Sequence, residues 1–371
     1  MKALQMVNVV MQRYGGIGGM YSVSRIKPEE QLFYPSTEEA QAAAASAPPT
    51  DKLEAISRMP APKLRFDNHQ RLDFLPFYNG GSGGGDSNKI LCIDAAGHTV
   101  LYDADAGKVH PVPSLNGPKG YSPVAFSISD RAPRDPARAQ AFYLMGRHPR
   151  CYDRFNFEAL MYSDNSSSQS QHTGRNLKGW YWHRLPPSPG HVDTSMVKCH
   201  AVIDDDRDNR DPILMVSSTK TSGVGTYCYN TVTNKWFKAG CWTLPFADRA
   251  EHVRELDGLW FGIGEDWPYN LCAMDLSSFD TNRAPLLVYK WEDLDLPDDW
   301  VMMDSSMVYL GAGKFCIAKI FDFHVRNDRI ASGAVISGLE VVHGGEPSKL
   351  LMVKHKSKFY KFAGDEMQCI L

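Results

Sequence analysis

The sequence predicts an all-β chain, a six-bladed β-propeller with one short N-terminal surface helix, and three observations carry that expectation. Apolar runs of about four to eight residues, rich in Val, Ile, Tyr, Phe and Trp, are divided throughout by clusters of Gly, Asn, Asp and Pro, the punctuation of strands and turns. The 30 Gly and 23 Pro among 371 residues point the same way, in a composition (43% hydrophobic, 22% charged) that is ordinary for a globular protein. One phrase also recurs at intervals of about 45 to 65 residues, the span of a four-stranded propeller blade.

The first element is a strand over Val7 to Met11. Gln5 and Asn8 interrupt the apolar run from Ala3 to Met11 and no small-x-small cleavage site follows, so the N-terminus does not read as a signal peptide. Gly15 to Gly19 then form a hairpin turn into Met20-Tyr21-Ser22-Val23, and no Gly-Lys-Ser/Thr accompanies these glycines to suggest nucleotide binding. The single convincing helix follows. Ser36-Thr37-Glu38-Glu39 has the form of a capping box, Ala40 to Ala45 are good helix formers broken only by Gln41, and Pro48-Pro49 stops them. Gly80-Gly81-Ser82-Gly83-Gly84-Gly85 reads as a flexible linker between the first two blades.

The recurring phrase is an apolar strand ending in an aromatic or Met plus an acidic or amide residue, a turn, a strand with Trp or Val, and a Pro-Leu exit. Its best copy runs Gly225-Thr226-Tyr227-Cys228-Tyr229-Asn230, then Trp236, then Trp242-Thr243-Leu244-Pro245-Phe246. A second has Leu101-Tyr102-Asp103, Val109 and Val112-Pro113-Ser114-Leu115, with the same spacing from tyrosine to the later apolar residue. A third joins Leu160-Met161-Tyr162 to Trp180-Tyr181-Trp182 and Leu185-Pro186-Pro187 across a polar insertion, and a looser fourth joins Ala273-Met274-Asp275 to Val288-Tyr289-Lys290-Trp291. Large flat side chains at these positions fill the wedge between twisted blades that are apolar on both faces. A tyrosine on a third strand and a tryptophan on a fourth, joined by a short turn, is the arrangement of kelch repeats, which Tyr229 and Trp236 resemble. The paired glycines that usually open a kelch repeat are mostly missing.

Residues 1–371 are therefore expected to form one kelch-like propeller domain. Its blades fall near 1–75 with closure from the C-terminus, 88–115, 122–187, 197–246, 249–297 and 301–360. An unclosed ring would expose two sheet edges, and Val7 to Met11 with Leu350 to Val353 and Phe359-Tyr360 are the expected closers.

With 40 Lys+Arg against 43 Asp+Glu the net charge is -3, so there is no basic surplus to neutralise a nucleic-acid backbone. No stretch reaches the 18 or more apolar residues of a spanning helix, so no membrane partner is expected. The eight cysteines show no two-residue pairing and sit mostly inside apolar runs, as in Ile90-Leu91-Cys92-Ile93, which reads as buried reduced thiols in an intracellular protein of the cytoplasm or nucleus.

Catalytic chemistry finds no motif. Asp204, Asp206 and Asp208 have the one-three-five spacing of an EF-hand loop, but Asn209 replaces the glycine and Met215 the bidentate glutamate, so the run to Asp211 reads as a solvated loop with internal Asp–Arg pairs. The twelve histidines are dispersed, with Cys199-His200 and His98 with His110 the pairs worth inspecting. No catalytic residue, cofactor or metal site is expected. The candidate partner-binding positions are Asp204, Asp206, Arg207, Asp208 and Arg210 in the charged loop, together with Trp267 in Gly264-Glu265-Asp266-Trp267-Pro268, a turn that would expose its indole while most of the tryptophans pack at blade positions in the core.

Several phrases resemble a family of plant proteins, expanded in grasses, known as a domain of unknown function with a kelch-like propeller. They are Val7-Asn8-Val9-Val10-Met11, Gly19-Met20-Tyr21-Ser22-Val23, Leu32-Phe33-Tyr34-Pro35-Ser36-Thr37-Glu38-Glu39-Ala40, Asp94-Ala95-Ala96-Gly97-His98-Thr99-Val100-Leu101-Tyr102-Asp103, Gly258-Leu259-Trp260-Phe261-Gly262 and Gly313-Lys314-Phe315-Cys316. The resemblance implies a plant intracellular protein and supplies no catalytic residues. Residues 1–50 show no F-box. The expected function is that of a monomeric, non-catalytic scaffold that binds a protein partner through its loops; the opposing class is a small-molecule binder or enzyme using the central channel.

Overall fold

Short apolar runs divided by turns fold the chain into antiparallel meanders. The computed structural model describes residues 6–14, 19–46, 58–68, 71–77, 88–129, 140–147, 156–164, 178–189, 194–203, 211–219, 224–277, 283–293, 299–325, 329–345, 349–362 and 364–371. Among them the first sheet holds β1 (Val7–Tyr14), β2 (Gly19–Ile26) and β3 (Leu64–Asn68). Between β2 and β3 lie the single turn α1 (Pro28–Gln31) and the one longer helix, α2 (Thr37–Ser46).

The second sheet is β4 (Leu72–Phe77), β5 (Lys89–Asp94), β6 (Thr99–Asp103) and β7 (Lys108–Pro111); the third is β8 (Val124–Ser129), β9 (Gln140–Met145), β10 (Phe157–Asp164) and β11 (Lys178–Arg184). A further meander runs through β12 (Val197–Ile203), β13 (Ile213–Ser218), β14 (Gly225–Asn230) and β15 (Lys235–Gly240), and the next through β16 (Phe246–Val253), β17 (Leu259–Gly264), β18 (Leu271–Asp275) and β19 (Leu286–Trp291). The last comprises the long strands β20 (Trp300–Gly311), β21 (Lys314–Val325), β22 (Arg329–His343) and β23 (Leu350–Lys361). The final strand, β24 (Asp365–Ile370), returns to pair antiparallel with β1. These four-stranded meanders with one surface helix are the β-propeller-like, all-β class that the sequence predicts.

By internal packing the chain divides into two units. One holds Met1–Gln70, Pro245–Ser277 and Pro285–Leu371; the other holds Arg71–Leu244 and Ser278–Ala284. Within the second unit, Phe77, Leu91 and Ile93 of one sheet pack on Phe142, Leu144 and Leu160 of the next, whose opposite face sends Tyr143, Phe157 and Ala159 against Leu214, Val216, Tyr227 and Tyr229. Consecutive residues of β9 thus enter different cores, which explains near-continuous apolar runs in place of strict alternation. Within the first unit, Phe315 and Ile317 of β21 face Phe261 and Leu271, while Cys316, Ala318 and Ile320 face Val7, Val9 and Ile26. Fourth strands are wetter: every residue of β7 is exposed, as are four of the six in β19 and three of the six in β15.

Local chemistry sets the boundaries. Ser36 caps α2, its Oγ accepting the Glu39 N–H at 3.2 Å, and Glu38 and Glu39 complement the positive end of the helix. In the β20–β21 hairpin Ala312 and Gly313 both have positive φ, as a two-residue turn of the primed type requires. A Cβ on Gly313 would also lie 2.3 Å from the Val341 carbonyl oxygen.

Two expectations need correction. Residues 80–85 lie outside the described residues, but β4 and β5 on either side pair with each other from Leu72↔Asp94 to Phe77↔Lys89. The glycine run therefore joins strands of one sheet, not two blades. The partner of β1 is likewise β24, whereas Leu350 to Val353 and Phe359-Tyr360 belong to β23, which pairs with β22. A bulge at Val10/Met11 shifts the register of β24, so Met367 and Ile370 are the buried residues and their spacing of three hides the strand period.

Candidate functional site

The turn between β17 and β18 builds the clearest presentation site. Gly264 N–H donates to the Asn270 carbonyl at 2.8 Å, closing the hairpin, and Tyr269 N–H donates to the Asp266 carbonyl at 2.7 Å. The Trp267-Pro268 peptide is cis, so Asp266 to Tyr269 form a type VI turn. Trp267 is 55% exposed. Its ring meets that of Tyr269 edge-on with centroids 6.0 Å apart, and Tyr269 is itself packed against the core.

Beneath the turn lies a buried ion pair. Lys319 Nζ, from the middle of β21, donates to Asp293 Oδ1 at 2.6 Å and to the Pro268 carbonyl at 3.2 Å. Both side chains of the pair are 2% exposed. A buried ammonium needs a carboxylate and further acceptors, and here one of those acceptors is the backbone that carries Trp267. The indole therefore stands on a fixed base, flanked by the exposed acids Glu265 and Asp266.

Trp267 thus lies on a turn with its indole exposed. The other candidate positions, Asp204, Asp206, Arg207, Asp208 and Arg210, lie outside the described residues. The supporting pair was not foreseen, although a lone lysine in Phe315-Cys316-Ile317-Ala318-Lys319-Ile320-Phe321 is a readable signal of a buried charge that must find a partner.

The titratable clusters elsewhere do structural work. Asp94 accepts hydrogen bonds at 2.9 Å from the backbone N–H groups of Ala96 and His98 and lies 2.8 Å from His98 Nδ1. Burial alone would raise its pKa, but the hydrogen bonds from the His98 side chain and from these backbone groups hold it below the usual carboxylate value. His200 is buried edge-on against Phe126 at 5.2 Å. Tyr309 donates to Glu255 in a short hydrogen bond and accepts from Gly313 N–H at 3.2 Å; burial first, then that carboxylate, push its pKa up, so it remains a donor.

Thr37, Glu340 and His355 combine a hydroxyl, a carboxylate and an imidazole, but not in nucleophilic order. Thr37 Oγ1 donates to Glu340 Oε2 at 2.9 Å, His355 Nε2 lies 3.1 Å from the same oxygen, and His355 Nδ1 accepts the Tyr34 N–H at 3.1 Å. With Nδ1 already engaged and the hydroxyl facing the acid, the imidazole has no proton to take from Thr37. Among the described residues no three His, Cys, Asp or Glu side chains group as metal ligands, and no helix is long and apolar enough to cross a membrane.

No curated protein matches the chain. Residues 4–360, nearly the whole sequence, match the family model described as protein of unknown function (DUF1668), and the chain belongs to that family.

Proposed function

We propose that the chain is a non-catalytic interaction scaffold that docks a protein partner through loops of its β-sheet framework. The observation that carries the reading is Trp267, an exposed indole on a turn locked from below by Lys319 and Asp293. Aromatic anchors on rigid supports dominate interface energies because their large area is buried with little ordering cost. Glu265 and Asp266 beside the indole favour a partner whose apolar pocket is rimmed by Lys or Arg. In this reading the protein is a monomeric, kelch-like propeller of a plant cell, acting in the cytoplasm or nucleus. The resemblance of its phrases to the grass-expanded plant family and the cysteines buried in its strands support that setting.

The test is affinity capture by the tagged full-length chain, read by mass spectrometry, beside Trp267→Ala and a chain in which 204–211 is replaced by a short Gly/Ser loop. A stoichiometric protein retained by the wild type and lost from a folded variant supports the scaffold and locates its face. Identical capture by all three chains, or none, removes the scaffold as the leading function.

A further inference from the structure

A groove of about 790 Å³ opens where the apolar face of the first sheet turns polar, beside the end of β23. That face carries Val7, Val9 and Met11 into the core shared with β20–β23 and then presents Arg13; across the sheet Met11 stands opposite Ser22, and Arg13 opposite Met20. The rim is the segment before β3, fixed by Ser24 Oγ donating to the Pro60 carbonyl at 2.9 Å and by Lys63 N–H donating to the Val23 carbonyl at 2.8 Å.

The groove has two kinds of wall. One is apolar: Met11 and Tyr360 are buried at its floor, Met59 and Phe362 are partly buried against the same core, and Met20 is 43% exposed. Methionine side chains adapt to flat or irregular apolar bodies. The other wall is cationic. Arg13 is bound by Asp365 at 2.6 and 3.1 Å, so those two charges cancel. Arg58 and Arg65 have no hydrogen-bond or ion-pair partner among the described residues, and the Lys361 ammonium lies 5.6 Å from the Phe323 ring centroid, with no carboxylate paired to it.

We propose that this groove binds a small amphipathic anion, with an aromatic or aliphatic body on the methionine wall and a carboxylate, phosphate or sulfonate head between Arg58, Arg65 and Lys361. The volume suits one compact ligand. Three uncancelled cations in a chain of net charge -3 suit a single head group better than a polyanion. Guanidinium groups with no partner among the described residues also give up no ion pair there when the head group arrives.

The test compares two fluorescent probes of one shape, 8-anilinonaphthalene-1-sulfonate and its uncharged analogue N-phenyl-1-naphthylamine, on the full-length chain, on Arg58→Ala/Arg65→Ala and on Trp267→Ala, with circular dichroism confirming the fold of each. The proposal expects one sulfonate probe bound per chain, at least about tenfold tighter than the neutral one, with about a tenfold loss in the double arginine variant and none in Trp267→Ala. Displacement by dodecanoate or by dodecyl phosphate, but not by dodecanol, extends the result to aliphatic bodies and identifies the preferred head group. The proposal is overturned if the sulfonate probe does not bind, binds at several equivalents, binds no better than the neutral analogue, or binds the folded arginine variant as well as the wild type.

Discussion

The indole N–H of Trp236 on β15 donates to the carbonyl of Pro186, 3.1 Å away in the segment that leaves the preceding sheet. Trp182 on β11 repeats the contact one sheet earlier, donating to the Pro113 carbonyl at 2.7 Å. Each proline belongs to a Pro-Leu exit, so the recurring tryptophan and the recurring exit are two ends of one stitch between consecutive sheets. Trp236→Phe should keep most of the packing on Phe157 and Tyr229, whose ring centroids lie 5.6 and 5.2 Å from the indole. It loses only the hydrogen bond, a cost of about 1 kcal/mol. Trp236→Ala should cost about 3 kcal/mol or more. Urea unfolding of the wild type and the two variants checks the difference, and a Trp236→Phe midpoint equal to that of the wild type would remove the stitch.

That stitch shows what was legible in the sequence and what was not. The shared spacing of Tyr229 with Trp236 and of Tyr102 with Val109 is cross-strand pairing: each couple lies directly opposite across a third-to-fourth strand hairpin, as do Tyr162 and Trp180. Short hairpins keep such pairs close in sequence, so a repeat search finds them. Contacts closed over long separations leave no such trace. β24 meets β1 across nearly the full chain and through a bulge, and Lys319 finds Asp293 only after β21 has packed. The groove was illegible for the same reason, since Arg58, Arg65 and Lys361 converge from segments some 300 residues apart.

Lys319 and Asp293 should be unequal to their replacements taken singly and together. Asp293→Ala leaves a buried ammonium with only the Pro268 carbonyl among the described residues, and a cost of about 3–5 kcal/mol is expected. The double change Lys319→Met/Asp293→Leu removes both charges and should recover most of that loss while releasing the Trp267 turn. Thermal unfolding reads the first effect and acrylamide quenching of tryptophan fluorescence the second. Additive losses in the double variant would contradict a coupled pair.

His355 should make stability depend on mild acid. Burial lowers its pKa from 6.5, against the opposing pull of Glu340, while Lys314 at the start of β21 and Lys356, the next residue on β23, add to the lowering. The unfolded chain therefore takes up the proton first. Stability tied to the neutral ring is fully present above the ordinary value of 6.5 and is lost as pH falls below it toward and through the lower folded value. Protonation at Nδ1 would also break the bond from Tyr34 N–H, loosening the segment before α2. His355→Gln should flatten this dependence between about pH 6.5 and 5. A variant with the wild-type slope of denaturant midpoint against pH would rule the histidine out.

Trp267 should be nearly silent in stability. Its side chain is mostly in water and its backbone bonds survive truncation, so Trp267→Ala should move the unfolding free energy by no more than about 0.5 kcal/mol. The same change should remove the most readily quenched part of the tryptophan emission, because seven of the eight tryptophans are buried or half-buried. Calorimetry and acrylamide titration check the two halves. A large loss of stability would mean that the indole holds its turn together and is not a spare surface anchor.

Removal of residues 365–371 should damage far more than their number suggests. β1 is paired on both edges, with β2 on one side and β24 on the other, and Asn8 and Leu371 exchange two backbone hydrogen bonds of 2.8 Å at the end of that ladder. Deletion takes Met367 and Ile370 out of a core that also holds Val7, Val9 and Ile26, and it leaves the largely buried strand β1 with one free edge. Such an edge pairs with any strand it meets, another copy of the chain included. The expected outcome is an oligomeric or insoluble protein by size-exclusion chromatography. The charge lost at Asp365 is not the cause, because its pair with Arg13 is exposed; Asp365→Asn should therefore leave the elution volume of the full-length chain unchanged. A soluble, monomeric truncation with an unchanged melting temperature would show that β1 does not depend on β24.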